Sequence, residues 1–287
     1  MIKQVLLPTD FSKNALNAIR YALDLYSDIR CEFYLLHAFQ ASGYTLDSMR
    51  VPEPGEPHYE AAKKRSLEGM AKLKQMVLLH GQNPNHTLHT ISTFNSLVEA
   101  VRNTIAKKDI EIIFMGTKGV TGSKARIFGT NTVAIMEAIK NCPVLAIPEH
   151  YSFAPPKKIV FPTDYKTAYK KKEMEPLLEI AKLHNAKIDV IHIDKEKDGK
   201  LSAKQAANQE LLTNILDQCS YSLHFLSEVK ISKGITLFIE SQKSDMIAFL
   251  NKKHLFFGSI LSNPLVKEIG YEPTIPILEL NDNSKRI

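Results

Sequence analysis

Cysteine is scarce in this sequence. Its three cysteines, Cys31, Cys142 and Cys219, are odd in number and widely spaced, and no two of them form a CxxC pair. An odd number of widely spaced cysteines is most simply explained by free thiols. We therefore expect three reduced thiols, as in a cytoplasmic protein.

Long hydrophobic runs are missing as well. No apolar stretch approaches the roughly 18 residues of a membrane-spanning helix. The opening residues, MIKQVLLPTDF, are typical of a short strand followed by polar residues, unlike a secretory signal. We expect neither a membrane span nor a membrane partner.

The chain also lacks a concentrated charge of one sign, although its net charge is +6. The lysines are scattered beside helical patterns, as in KKR at 63–65 and KKKE at 170–173. Such residues are typical of solvated helix faces, so we expect no nucleic-acid partner. A small phosphorylated ligand fits the modest positive excess equally well.

What the chain does have is an internal repeat. Four segments of the first half return in the same order in the second half, which favours two copies of one domain, at 1–150 and 151–287. Between them EHYSFAPPKK forms an extended linker. The echoes are VLLPTDFSKNA with IVFPTDYKTAY, FYLLHAF with IDVIHID, EIIFMGTK with DMIAFLNK, and PVLAIP with PILEL.

Strands alternate with helices in the first copy. IKQVLLP, CEFYLLHAF, HTLHTIS, IEIIFM and PVLAIP are strand-like, and helical spacing separates them. The third helix is predicted to begin at Ser96, because Ser96 and Glu99 have capping-box spacing. The pattern predicts an α/β domain with a parallel sheet covered on both faces. Ligands bind at the carboxyl ends of such strands.

A glycine-rich loop, GTKGVTGSKARIFGT at 116–130, separates the fourth strand from the fourth helix. Glycines let a ligand approach the main chain, and a helix start favours an anion. Thr130 is either an ordinary N-cap or a phosphate-contacting hydroxyl. Lys118, Lys124 and Arg126 either contribute charge to a site or are solvated. These features alone leave a phosphate site and a plain connection open.

The loop spacing Gly116-x2-Gly119-x9-Gly129-Thr130 resembles the ATP-binding pattern G-x2-G-x9-G-[S/T] of the universal stress protein family. The start VLLPTDFS, the LH near the end of the second strand and the closing CPVLAIP are also similar to that family. The resemblance covers the first half, and the second half resembles a diverged copy. It implies two tandem Rossmann-like domains of the adenine nucleotide alpha hydrolase-like type, each with a five-stranded parallel sheet flanked by helices.

The resemblance also implies an ATP site, with Mg²⁺ held largely by phosphates and water. Asp10 would lie against the adenosine, and Ala38 would read adenine through its backbone. The alternative for Asp10 is a carboxylate at the start of the first helix. The full implied set is Pro8, Thr9, Asp10, Ala38, Met115, Gly116, Gly119, Gly129, Thr130 and Asn131.

The second copy departs from this pattern. Leu250, Lys253, Asn263 and Pro264 stand where the first copy has Gly116, Gly119, Gly129 and Thr130. Side chains and a proline where the loop needs bare backbone and N–H donors remove the phosphate cradle. We expect the second copy to be a structural partner or to hold a different ligand.

The sequence therefore predicts a regulatory ATP-binding module with no catalytic or dedicated metal-binding residues. The alternatives are a slow ATPase or phosphotransferase, and a stress protein whose loop is a relic. Members of the resembled family pair through their last strands. The segments VLAIP at 144–148 and ILEL at 277–280 are thus expected to pair within the chain as a pseudo-dimer. Further homodimerisation stays open.

Overall fold

The computed structural model describes residues 2–40, 54–117, 129–194, 200–227, 231–251 and 274–281. The chain divides into two compact units, residues 1–139 (unit 1) and residues 140–287 (unit 2). Across the described ranges, no helix combines the length and the apolar character that crossing a bilayer requires.

Unit 1 alternates strands and helices from its first residues. Its four strands are mutually parallel in the order β3-β2-β1-β4. Val5, Leu6 and Leu7 of β1 are completely buried in succession, as expected for a strand covered on both faces. The elements are β1 (Lys3–Pro8), α1 (Lys13–Leu25), β2 (Cys31–Phe39), α2 (Pro57–His80), β3 (His86–Phe94), α3 (Leu97–Lys108), β4 (Ile112–Gly116) and α4 (Thr130–Ala138).

Unit 2 has the strand order β5-β10-β9-β6-β7-β8. Its strands are parallel except for β5, which runs antiparallel to β10. The elements are β5 (Val144–Ile147), β6 (Lys158–Thr163), α5 (Lys171–Leu183), β7 (Lys187–Asp194), α6 (Ala203–Leu216), β8 (Tyr221–Ser227), α7 (Ile231–Gln242), β9 (Met246–Asn251) and β10 (Ile277–Asn281). The expected pairing of the segments at 144–148 and 277–280 is present as this antiparallel contact.

The architecture confirms the α/β prediction, a mostly parallel, Rossmann-like sheet flanked by helices. The domain limits of 1–150 and 151–287 stay a prediction. By sequence β5 closes the first copy, whereas by its contacts it belongs to unit 2.

The two units share their strand register. In unit 1 Val5 lies opposite Ile112, and in unit 2 Ile159 lies opposite Met246. Ile159 and Met246 are the residues that the sequence echoes match to Val5 and Ile112. The same sequence pattern therefore produces the same pairing twice.

Candidate functional site

The predicted site residues follow strands that meet where the strand order of unit 1 reverses. From β1 the chain builds β2 and then β3 on one side, and β4 lies on the other side. In open parallel sheets the carboxyl ends of two such neighbours border a crevice. Pro8, Thr9 and Asp10 lie at the end of β1, and Met115 and Gly116 lie at the end of β4.

A tight turn follows β1. The hydroxyl of Thr9 accepts the N–H of Phe11 at 3.0 Å, and Oδ1 of Asp10 accepts the N–H of Ser12 at 3.0 Å. Phe11 itself has a left-handed backbone with φ of 63°. The N-cap of α1 is Ser12, which accepts the N–H of Ala15. The N-cap is thus Ser12 and not Asp10, whose half-buried carboxylate shapes the turn that precedes α1.

The end of β4 packs closely against α1. A Cβ added at Gly116 would lie 2.7 Å from the side chain of Asn14, so only glycine fits here without a shift. The carbonyl of Gly116 accepts a hydrogen bond from the hydroxyl of Thr132 at 2.7 Å, and Thr132 is buried in α4. Neither Asn14 nor Thr132 was identified from the sequence. The only feature of the sequence that indicated this close packing was the glycine at the end of a buried strand.

The start of α4 is drawn back to the end of β4. The N–H of Gly129 donates to the carbonyl of Thr117, next to Gly116. Gly129 is the N-cap, with an extended backbone (φ −60°, ψ 150°) and without a side-chain cap. The N-cap role considered for Thr130 is therefore wrong, since Thr130 is the first helical residue. Thr130 and Asn131 are exposed.

This helix start suits an anion. The first N–H groups of a helix have no partner within it, and the helix dipole places partial positive charge there. At α4 the N-cap is Gly129, which offers them no side-chain acceptor. The remaining loop residues of the prediction, Lys118, Gly119, Gly122, Lys124 and Arg126, lie outside the described residues.

At the end of β2, Ala38 is half-buried and lies opposite Thr93 of β3. The neighbouring His37 lies 4.3 Å from the ring of Phe11, measured between ring centroids. Burial lowers the pKa of His37, and the nearby carboxylate of Asp10 opposes that shift. The neutral imidazole is thus favoured. His37 and Asp10 are thus brought together at this edge of the sheet.

Unit 2 has the same turn after its first long strand. Thr163 accepts the N–H of Tyr165, Asp164 accepts the N–H of Lys166, and Tyr165 has φ of 53°. Each of these features matches unit 1. The turn geometry is therefore a property of the repeated PTD segment and does not by itself mark a ligand site.

The strand end of unit 2 is closed by its own side chains. The amides of Gln205 and Asn208 on α6 donate to the carbonyls of Asp164 and Tyr165 at 2.9 Å and 2.7 Å. Asp164 is 4% exposed and Tyr165 is completely buried. Of the residues that replace Gly116, Gly119, Gly129 and Thr130, Leu250 is buried in β9. Lys253, Asn263 and Pro264 lie outside the described residues.

Comparison with known proteins gives a consistent result. A model of the universal stress protein family matches residues 1–148. Universal stress protein MJ0531 of Methanocaldococcus jannaschii is 27% identical over 151 residues, covering 51% of this chain and 82% of that protein.

Solved structures show the same fold over nearly the whole chain. A universal stress protein from Archaeoglobus fulgidus is similar with a TM-score of 0.65 and 14% identity, over 98% of this chain and 97% of that chain. A putative universal stress protein from Pseudomonas aeruginosa has a TM-score of 0.57 and 13% identity, over 98% and 94% of the two chains.

Proposed function

The chain belongs to the universal stress protein family, and from this premise we propose that it is a regulatory module that binds ATP in unit 1. The observation that carries the proposal is the junction of β4 with α4. There Thr132 and Gly129 hold a helix start without a side-chain cap against the end of β4. A helix start of this kind can bind phosphate oxygens through its backbone.

The proposed site divides into two parts. Pro8, Thr9, Asp10 and Ala38 take the adenosine, with the Asp10 carboxylate accepting hydrogen bonds from hydroxyl or amino groups. Met115 and Gly116 flank the ribose and the first phosphate, and the glycines and polar residues of the loop and helix start cradle the remaining phosphates. These cradle residues are Gly119, Gly129, Thr130 and Asn131. Mg²⁺ would accompany ATP, held by phosphate and water.

Unit 2 takes a structural part in this proposal. The shared register and the shared turn support two tandem domains, of which the second has lost its site. The antiparallel pair of β5 and β10 supports an intramolecular pseudo-dimer built on last strands. In this arrangement the second domain of the chain takes the place of a second subunit in the dimer.

A matched pair of variants in the full chain tests the assignment. Asp10→Asn keeps an acceptor oxygen for the N–H of Ser12 but removes the charge, and Asp164→Asn does the same beside Lys166. Hydrogen bonds to charged groups contribute about 1.5–3 kcal/mol, so Asp10→Asn is expected to weaken ATP binding by about tenfold or more. Asp164→Asn is expected to leave it unchanged in isothermal titration calorimetry.

Three outcomes would contradict the proposal in different ways. A loss with Asp164→Asn alone would move the site to unit 2. The absence of ATP binding by the wild-type chain would leave the loop a relic. Phosphate release above background by the wild-type chain would favour a slow ATPase over a binding module.

A further inference from the structure

The imidazole of His37 is held in a fixed orientation. Its Nδ1 lies 2.6 Å from Oγ of Ser66 on α2, and Oγ of Ser66 lies 2.6 Å from Oγ of Ser92 on β3. Ser66 is 1% exposed, so the hydroxyl at the centre of this chain of hydrogen bonds is shielded from water. The ring of Phe11 packs on the imidazole with an interplanar angle of 38°.

The second ring nitrogen of His37 is available. Within the described part of the chain Nε2 has no hydrogen-bond partner, and it is not among the fully buried polar atoms without one. His37 itself is half-buried, so Nε2 reaches solvent. A fixed ring with one accessible nitrogen is suited to contact a ligand at the end of β2.

The chemistry of the ligand group follows from two neighbours. Asp10 directly precedes Phe11, whose ring packs on His37, and its carboxylate acts on His37 electrostatically. The carboxylate accepts hydrogen bonds. Nε2 donates if Ser66 donates to Nδ1, and it accepts if Nδ1 donates to Ser66. A hydroxyl group donates and accepts, so one hydroxyl of a neighbouring pair can donate to Asp10 while the other matches either tautomer of His37.

We propose that Nε2 of His37 contacts a ribose hydroxyl of the bound nucleotide, beside Asp10, and makes unit 1 selective for ribonucleotides over deoxyribonucleotides. This inference rests on the proposed function. Of the groups in ATP, the 2′- and 3′-hydroxyls are the neighbouring pair with this donor and acceptor capacity. His37 is then a specificity-determining residue.

The corresponding histidine of unit 2 is more deeply buried. His192 is 5% exposed, and its Nδ1 donates to the carbonyl of Thr163 at 2.9 Å. Its ring lies between those of Tyr165 and Phe225, at centroid distances of 5.1 Å and 5.8 Å. The two histidines therefore differ in burial and in the partner of Nδ1, at otherwise similar strand ends.

Calorimetric titration of the full chain with ATP, 2′-deoxy-ATP and 3′-deoxy-ATP tests the inference. One net hydrogen bond corresponds to about a three- to tenfold change in affinity, so at least one deoxy analogue is expected to bind that much more weakly than ATP. Equal affinity of the wild-type chain for all three nucleotides overturns the inference without any variant.

Two substitutions separate the nitrogens of His37. His37→Asn places an amide near the position of Nδ1, keeping the contact with Ser66, and lacks a polar atom at the ε position. In this variant the affinity for ATP, divided by the affinity for the more weakly bound deoxy analogue, is expected to fall to about one. His37→Gln places its amide near the ε position and is expected to restore part of the ratio. His80→Asn is the control, because His80 is the last residue of α2 and lies away from Ser66 in the sequence. This variant should keep the wild-type ratio of affinities.

The outcomes distinguish this inference from the proposed function. ATP binding with an unchanged ratio in His37→Asn overturns the inference and leaves the proposed function intact. No ATP binding by the wild-type chain overturns both. Thermal melting shows whether each variant is folded. If His37→Asn does not fold, the affinities of the wild-type chain for the three nucleotides and the His37→Gln variant test the inference instead.

Discussion

The hydroxyl of Thr132 ties α4 to the end of β4, and Thr132→Val removes it with almost no change of shape. The bond to the carbonyl of Gly116 is 2.7 Å long, and Thr132 is 2% exposed. Leaving a buried carbonyl without its partner costs about 1–3 kcal/mol. We expect the free energy of unfolding to fall by that amount. We also expect ATP to bind about three- to tenfold more weakly, because the start of α4 then keeps only the bond from Gly129 to Thr117 at the strand end.

Thr104→Val provides the matched control for Thr132→Val. The hydroxyl of Thr104 also donates over 2.7 Å, to the carbonyl of Ala100 one helical turn earlier, and Thr104 is 5% exposed. That carbonyl keeps its backbone partner within α3, so the loss of stability should be below about 1 kcal/mol and ATP affinity should not change. Chemical denaturation and calorimetry measure the two effects. Equal losses of ATP affinity in both variants would refute the role of Thr132.

Two further predictions concern packing and pH. Gly116→Ala places a Cβ 2.7 Å from the side chain of Asn14, so we expect a loss of about 1–3 kcal/mol in chemical denaturation, and unchanged stability would contradict the close packing. Burial lowers the pKa of His86 below its ordinary 6.5, although hydrogen bonding to the carbonyl of Tyr26 opposes the shift. The unfolded chain then binds this proton more readily, so stability falls as pH drops below about 6.5. His86→Gln keeps a hydrogen-bond donor but does not titrate, so the loss of stability between about pH 7 and pH 5 should be smaller in this variant. An equal or larger loss would contradict the role of His86.

Local signals in the sequence were sufficient for much of the fold. Ser96 and Glu99 predicted the start of the third helix, and Ser96 is indeed the N-cap of α3, accepting the N–H of Glu99 at 3.3 Å. The repeat predicted equivalent strands, and the two units have equivalent registers. In both cases the residues that determine the structure are close in the sequence or recur at a fixed offset. These two features can therefore be predicted from the sequence alone.

The site depends instead on contacts between distant residues. Thr132 lies sixteen positions from Gly116, and which carbonyl it reaches depends on the path of the loop between them. Ser66 belongs to the buried stripe of α2 with Met70 and Leu73, which indicates that its hydroxyl needs a partner. That the partner is His37 follows only from the packing of α2 on β2 and β3. The displacement of the N-cap from Thr130 to Gly129 has the same origin, because Thr117 fixes Gly129 through the backbone.

The contrast between the two strand ends has an energetic consequence for Asp164. A ligand that reached Asp164 would have to displace the amides of Gln205 and Asn208 and expose Tyr165. Two hydrogen bonds at about 1 kcal/mol each and one buried aromatic side chain at about 2 kcal/mol amount to about 4 kcal/mol. An affinity otherwise equal to that of unit 1 would be reduced about a thousandfold. Closure by α6 would therefore be sufficient by itself to keep the proposed nucleotide out of unit 2. Introducing glycines into the loop of unit 2 alone should not produce nucleotide binding there.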